Sequence, residues 1–310
     1  MVSRIILGWI VTWLLVANLI AQPDTSTTSD FRKMDIFPAI SYAPETSLTL
    51  GAIGIRYFRW GKNTVKTPLS NVEFLAVYTL KKQIIVESRW EIFTSEGKWR
   101  SRGEVFFNRY PDRNYGLGND ANMLIVEYDE STPADTLNYV NFNSDRIKFS
   151  PVWMRRIRPH LYLGAQYDME HLYRMDITSE PYRFLTADSL ELQDMPVQGL
   201  RSGLGAQLLY DDRDYLLNPL RGSFLELNLL HYNRLWGSDY QFTVVSADAR
   251  HYWNPVQNHT LAMRGLFALE LANDPIPMRA LSRVGGHKFI RGYFKGTYQD
   301  HHMAAFEMEY

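Results

Sequence analysis

Residues 84–93 read Ile-Ile-Val-Glu-Ser-Arg-Trp-Glu-Ile-Phe, and this stretch indicates the fold. Its even positions are mostly apolar, whereas its odd positions carry three charges, including Glu87 and Glu91. Successive side chains of a β-strand point to opposite faces, so the stretch predicts a strand with one apolar and one charged face. The same alternation returns in residues 146–154 and 261–271. The chain is therefore predicted to be all-β and antiparallel.

About twelve such segments follow one another, separated by short turns and by three longer polar loops at 111–136, 174–198 and 273–300. Short turns at one end and long loops at the other are typical of a transmembrane β-barrel. A soluble β-sandwich shows the same alternation, so the pattern alone leaves both folds open. The predicted segments are 35–43, 46–60, 70–80, 83–94, 98–110, 138–154, 159–173, 199–211, 221–234, 239–253, 259–272 and 302–310.

The N-terminus resembles an export signal. Arg4 precedes an almost uninterrupted apolar run over residues 5–20, and Ala21-Gln22 is a plausible cleavage point. We therefore predict a signal peptide at 1–21, a linker at 22–34 and an outer-membrane barrel at 35–310. An uncleaved N-terminal anchor is the alternative, because the run is close to spanning length. The export signal and the segment lengths of about ten residues favour the barrel over the sandwich.

The composition fits an exported barrel and excludes several function classes. The 310 residues include 19 Tyr, 16 Phe, 8 Trp and no Cys, so neither disulfides nor thiol chemistry is available. A formal net charge of −1 gives no reason to expect nucleic acid as a partner. The eight histidines show no metal-ligand spacing, and no Gly-x-Ser-x-Gly elbow occurs. We expect no catalytic, cofactor-binding or metal-binding residues, and a non-enzymatic protein of the outer membrane of a Gram-negative bacterium.

Two motifs stand out from the strand pattern. The first places a lone arginine between aromatics and glycines, a composition that allows a tight backbone reversal and calls for an acidic partner. The second is a strand-turn-strand signature rich in aspartate, whose carboxylates are alternatively calcium ligands. The first motif comprises Gly285, Gly286, Ile290, Arg291, Gly292 and Tyr293. The second comprises Asp211, Arg213, Asp214, Pro219 and Gly222.

On these two motifs the chain resembles the bacterial surface antigen family, the barrels of BamA and TamA type. The resemblance spans nearly all of residues 35–310. It implies that the loop around Arg291 folds into the barrel lumen and that its arginine meets acidic side chains on the following strands. Glu309 lies where the family has such an acid, and alternation also points Glu307 inward. A solvated lumen position for both glutamates is the alternative.

The resemblance implies assembly or translocation of outer-membrane proteins. Its partners would be membrane lipid, unfolded outer-membrane client proteins or a periplasmic accessory protein, and no cofactor is implied. A passive pore or a surface antigen barrel without insertase activity is the alternative. Two departures bear on this: residues 22–34 leave no room for the family's POTRA domains, and the family barrel has sixteen strands where twelve are present. We expect a chain truncated at its C-terminus, with a barrel that closes at twelve strands as the alternative.

Overall fold

The computed structural model describes residues 34–43, 47–60, 67–118, 140–177, 198–215, 218–256, 259–272, 275–286, 290–293 and 296–310. Residues 33–310 form one compact unit. The predicted signal peptide lies outside the described residues, as does most of the predicted linker. No helix in the described ranges is long and apolar enough to cross a membrane.

Fourteen strands and two short 3-10 helices are present among the described residues. The helices are Arg234–Trp236 and Met278–Ala280. The strands are β1 Asp35–Ala43, β2 Ser47–Phe58, β3 Ser70–Thr79, β4 Ile84–Thr94, β5 Trp99–Asn114, β6 Val140–Arg158, β7 Leu161–Ile177, β8 Gly199–Asp211, β9 Gly222–Tyr232, β10 Phe242–Val256, β11 His259–Ala272, β12 Ser282–Val284, β13 Tyr298–Asp300 and β14 His302–Glu309.

Twelve of these strands form one antiparallel sheet in which each strand pairs with its neighbour in sequence. The order runs from β1 to β11 and ends at β14. Each of the twelve predicted segments corresponds to one strand of this sheet, and the predicted fold class is confirmed. The prediction was wrong in two places. β5, β6 and β7 extend beyond their predicted bounds, and the predicted loop at 273–300 contains the two-stranded ribbon β12–β13. A three-residue strand is too short to show alternation.

The two faces of the sheet are inverted relative to a water-soluble protein. Large apolar side chains such as Phe74, Trp153 and Phe306 are 47%, 54% and 66% exposed, whereas Asp168 and Glu170 on the opposite face are 4% and 5% exposed. A soluble sandwich would bury its apolar face. An outward apolar face and a polar interior are the features of a transmembrane barrel wall. The exposed apolar face therefore identifies the sheet as a barrel wall and excludes the soluble sandwich.

Candidate functional site

The predicted arginine motif lies in the connection between β11 and β14, beyond the ribbon β12–β13. Gly285 and Gly286 have φ angles of 104° and 97°, which glycine adopts without the strain that a Cβ would cause. The N–H of Gly286 donates to the carbonyl of Tyr293 (2.8 Å), and the N–H of Tyr293 donates to the carbonyl of Ile290 (3.2 Å). Arg291 therefore lies at the second position of a tight four-residue turn.

This turn contacts the inner face of β14 at two points. Nη2 of Arg291 donates to Oε1 of Glu309. The backbone N–H of Ile290 donates to Oε1 of Glu307 over 3.3 Å. Phe306 and Met308 point to the opposite face of β14 and are 66% and 62% exposed. One turn thus engages the two glutamates that alternation places on the inner face.

The loop reaches far along the sheet before it makes these contacts. In the register of β11 with β14, His302 lies opposite Leu269 at the long-loop end, and Glu309 lies opposite Ala262 near the short turn between β10 and β11. Seven residues of strand separate the two, which corresponds to about 23 Å. A segment that starts and ends at the long-loop end therefore extends along the inner face toward the short-turn end.

The base of the loop is held by an apolar cluster. Ile276 and Met278 are 1% and 2% exposed, and they pack with Leu281 against Phe242 and Tyr232. The sequence predicts only a polar loop here. The available signal was Ile276 between Pro275 and Pro277, followed by Met278 and Leu281. Isolated apolar residues in a loop do not identify their partners.

Polar contacts join the same loop base to other strands. Nη2 of Arg279 donates to Oγ of Ser144 on β6 over 3.1 Å, and Oγ of Ser282 donates to Oε1 of Glu270 on β11 over 3.0 Å. The N–H of Gly118, just after β5, donates to the carbonyl of Gln299 on β13 over 2.9 Å. The loop base is consequently fixed to several strands, whereas its tip touches β14.

The second predicted motif forms the β8–β9 hairpin. The carboxylate of Asp211 accepts from Nε of Arg213 at 2.8 Å and from both terminal nitrogens of Arg100 at 3.3 Å. The side chains of Asp211, Arg213 and Arg100 are 5%, 8% and 4% exposed. One buried carboxylate therefore contacts guanidinium groups from two different strand regions, and Nε of Arg100 also donates to Oε1 of Glu91 on β4 over 2.7 Å. The contact of Arg100, on β5, with Asp211 was not predicted, because the two residues lie 111 positions apart in sequence.

The turn of this hairpin is closed by Asp214. Its Oδ1 accepts from the backbone N–H groups of Tyr215, Leu220 and Arg221 at 2.9, 3.0 and 3.3 Å. Desolvation opposes ionisation of this exposed side chain, but these three donors lower the pKa of the Asp214 carboxyl below its usual value. The carboxylate thus acts as an internal acceptor for its own turn.

Pro219 lies inside that turn, and Gly222 begins β9. Gly222 has a φ of 108°, and a Cβ at this position would approach the carbonyl oxygen of Asp212 to 2.7 Å. Oδ1 of Asp212 accepts the N–H of Ser223 over 2.5 Å. The carboxylates that the sequence offered as calcium ligands are therefore occupied by donors of their own hairpin.

A cross-strand row on the inner face connects the two motifs. Each member of the row lies opposite the next one on the neighbouring strand. From β8 to β14 these members are Asp211, Phe224, Arg250, Arg264 and Glu307. The guanidinium carbons of Arg213 and Arg250 lie 4.7 and 4.8 Å from the centre of the Phe224 ring. Sequence alternation places each residue on the inner face but not in one row, because the row depends on the register of five strands.

Asp248, two residues before Arg250 on β10, bridges the two arginines of this row. Its Oδ2 accepts from Nη2 of Arg250 at 2.7 Å and from Nη2 of Arg264 at 2.8 Å. The row therefore runs from the hairpin to the strand that the Arg291 turn contacts, with charged or aromatic contacts along it.

A further ionic cluster lies on the inner face of β5 to β9, and its individual pairs were not predicted from the sequence. Lys148 contacts Glu104 over 2.6 Å, Arg102 contacts Glu226 over 2.6 Å, and Arg201 pairs with Glu170. Because buried ions are tolerated when they are paired, these contacts allow the wall to carry many charges inward.

A sheet of twelve antiparallel strands, apolar on its outer face and charged on its inner face, defines a transmembrane β-barrel protein of the outer membrane. Residues 66–304 match the Omp85 superfamily domain, and the chain belongs to this superfamily. The predicted family resemblance is thereby confirmed. Membership indicates the outer membrane of a Gram-negative bacterium.

Among solved structures, the fold is similar to that of BamA from Haemophilus ducreyi lacking POTRA domains 1–3. The TM-score is 0.50 at 14% sequence identity, over 88% of this chain and 50% of that chain. The chain thus spans about half the length of that relative, and the likeness concerns the fold. A search of curated protein sequences found no relative.

Proposed function

We propose that the chain is the membrane domain of an outer-membrane protein assembly or translocation factor that acts without enzymatic chemistry. The observation that carries this proposal is the double contact of the Arg291 turn with Glu307 and Glu309 on the inner face of β14. Superfamily membership and the barrel fold support the same class of function.

The mechanism would use the loop as a removable brace. Arg291 and Glu309 are 64% and 48% exposed, so the pair is accessible to water and inexpensive to break. When the brace holds, β14 keeps its position along β11. When it releases, β14 gains freedom to separate, while the buried contacts at the loop base keep the loop on the sheet.

A client strand would then pair with β1, which in the described residues pairs only with β2 within the sheet. A strand edge is a template for another strand. We therefore place the seam for client contact at β1, and an unfolded outer-membrane protein or a periplasmic accessory protein is the partner.

The test uses the full chain reconstituted in lipid vesicles. Insertion of an unfolded outer-membrane client into the vesicles is followed by its heat-modifiable gel shift. We expect wild-type protein to accelerate insertion and the double variant to do the same. Arg291→Glu and Glu309→Arg should each reduce the acceleration, because the brace can no longer re-form after each insertion. Arg234→Glu, on an exposed turn at the long-loop end, is the matched control and should leave the rate unchanged.

Contact at the proposed seam can be tested directly because the chain has no cysteine. Ser41→Cys on β1 should form a disulfide with a single-cysteine client during insertion, whereas Ser88→Cys on β4, inside the sheet order, should not. Equal cross-linking of both variants would contradict the seam. If the vesicles show steady ion conductance and no client insertion, the chain is a passive pore instead.

We also propose that residues 1–21 are a signal peptide removed during export, since the apolar run and the Ala21-Gln22 junction have the required pattern. Mass spectrometry of the protein isolated from outer membranes should show an N-terminus at Gln22. An intact Met1 in that fraction would support the membrane-anchor alternative.

A further inference from the structure

The outer face of the sheet carries an unusual group of side chains at the short-turn end of β5, β6 and β7. Trp99 lies opposite Arg155, and Arg155 lies opposite Leu163, so the three form one row on one face. Trp99 and Leu163 are 50% and 47% exposed. The guanidinium carbon of Arg155 lies 5.8 Å from the centre of the Trp99 ring. An arginine is thus held against an indole on the side of the sheet that faces lipid.

A β-bulge brings a second arginine to the same face. The register of β6 with β7 shifts between Arg156 and Arg158, so that Arg158 lies opposite Leu161, on the face of Leu163. Strict alternation would have turned Arg158 toward the interior with Arg156, and the extra residue Ile157 reverses that. Arg155 and Arg158 are then about 7 Å apart along the sheet, the length of two strand residues.

The two arginines differ from those of the inner face in having no acidic partner. On the inner face Arg100, Arg201 and Arg264 all pair with carboxylates. In the described part of the chain, no ion pair involves Arg155 or Arg158. Their positive charges therefore remain available for a ligand.

The surroundings of the two arginines indicate what that ligand is. Trp153, 54% exposed, lies one step further into the apolar wall on the same face. Indoles favour the boundary between lipid chains and headgroups, and arginine side chains reach from the wall to that boundary. Guanidinium groups bind phosphate through paired N–H donors. A phosphate with attached acyl chains matches both the charge and the apolar strip.

We propose that Arg155 and Arg158, with Trp99 and Trp153, form a binding site for one anionic phospholipid on the outer face of the barrel. The headgroup phosphate lies between the two guanidinium groups, the indoles flank the glycerol region, and an acyl chain lies along the strip that contains Leu163. This site is independent of client insertion and of the Arg291 loop.

Native mass spectrometry tests the site on the full chain released from nanodiscs of equal phosphatidylglycerol and phosphatidylethanolamine. We expect wild-type protein to retain phosphatidylglycerol preferentially. The double variant Arg155→Gln/Arg158→Gln should bind that lipid about 30-fold more weakly, because each cation near an anionic lipid contributes about 1 kcal/mol. Arg155→Lys/Arg158→Lys keeps the charge and should retain part of the preference.

Two controls make the result decisive. Arg221→Gln/Arg234→Gln removes two exposed cations elsewhere and should leave retention unchanged, and heat-modifiable migration shows that every variant is folded. Retention that is equal for both lipids, or unchanged in the glutamine variant, overturns the proposal. Inorganic phosphate should fail to displace the lipid, and complete displacement would identify a free-anion site instead.

Discussion

The β8–β9 hairpin and the Arg291 turn use the same chemistry in opposite environments. Each sets an arginine against a carboxylate on the inner face of the sheet. The Arg213–Asp211 pair is 8% and 5% exposed, and Arg100 joins it from β5. The side chains of the Arg291–Glu309 pair are 64% and 48% exposed. The backbone N–H of Ile290 adds a second polar contact to β14, at Glu307.

This difference assigns the two motifs different physical roles. Breaking a buried pair leaves an uncompensated ion away from water, which costs several kcal/mol. Breaking an exposed pair returns both ions to water and costs about 1 kcal/mol or less. The hairpin therefore stabilises the wall, whereas the Arg291 turn can form and break without threatening the fold.

The largest effect is expected for Asp211→Asn. The amide preserves the shape of the side chain but leaves the buried Arg213 without the carboxylate of Asp211 and Arg100 with Glu91 alone, so the free energy of unfolding should fall by about 3 kcal/mol. Urea unfolding in lipid vesicles, followed by tryptophan fluorescence, measures it. Glu309→Gln is the matched control at the exposed motif. A loss for Asp211→Asn no larger than that of the control would remove the distinction between the motifs.

A smaller effect is expected when one glycine of each motif, Gly222 or Gly292, is replaced by alanine. At Gly222 the φ of 108° and the approach of Asp212 oxygen to 2.7 Å oppose a Cβ, so Gly222→Ala should lower the free energy of unfolding by about 1–3 kcal/mol. At Gly292 nothing lies within 4 Å of the Cβ position. Gly292→Ala should therefore change stability little. The same unfolding measurement checks both variants, and equal losses would contradict the assigned packing.

The sequence predicted the wall of the barrel better than the contacts inside it. Alternation is a local property, so segments such as 199–211 and 259–272 coincide with β8 and β11. The inner row that ends at Glu307 and the pairing of Arg100 with Asp211 depend on register and on residues far apart in sequence. No local pattern contains that information, and only the family resemblance suggested a partner for Arg291.

The hairpin turn should also respond to acid. Its donors lower the pKa of Asp214 in the folded state, so the carboxylate stabilises the turn above the unfolded value, about 3.9. This stabilisation is lost as the pH falls through the lower folded pKa. The difference in unfolding free energy between wild-type protein and Asp214→Asn should therefore be present at pH 6 and shrink below about pH 4. A difference that does not change with pH would contradict the role of the ionised carboxylate.

Replacing Arg291 should have the smallest effect on stability but a clear effect on client insertion. Arg291→Gln removes an exposed pair and should change the free energy of unfolding by less than about 1 kcal/mol. Salt separates the two readouts, because the screening length falls from about 10 Å at 0.1 M to about 3 Å at 1 M. Raising the salt should slow client insertion by wild-type protein toward the rate of Arg291→Gln and leave the variant unaffected. Equal salt sensitivity of both proteins would show that insertion does not depend on this pair. If the wild-type rate instead falls to that of Arg291→Gln, the Arg291 turn is the breakable contact and the hairpin is the fixed one.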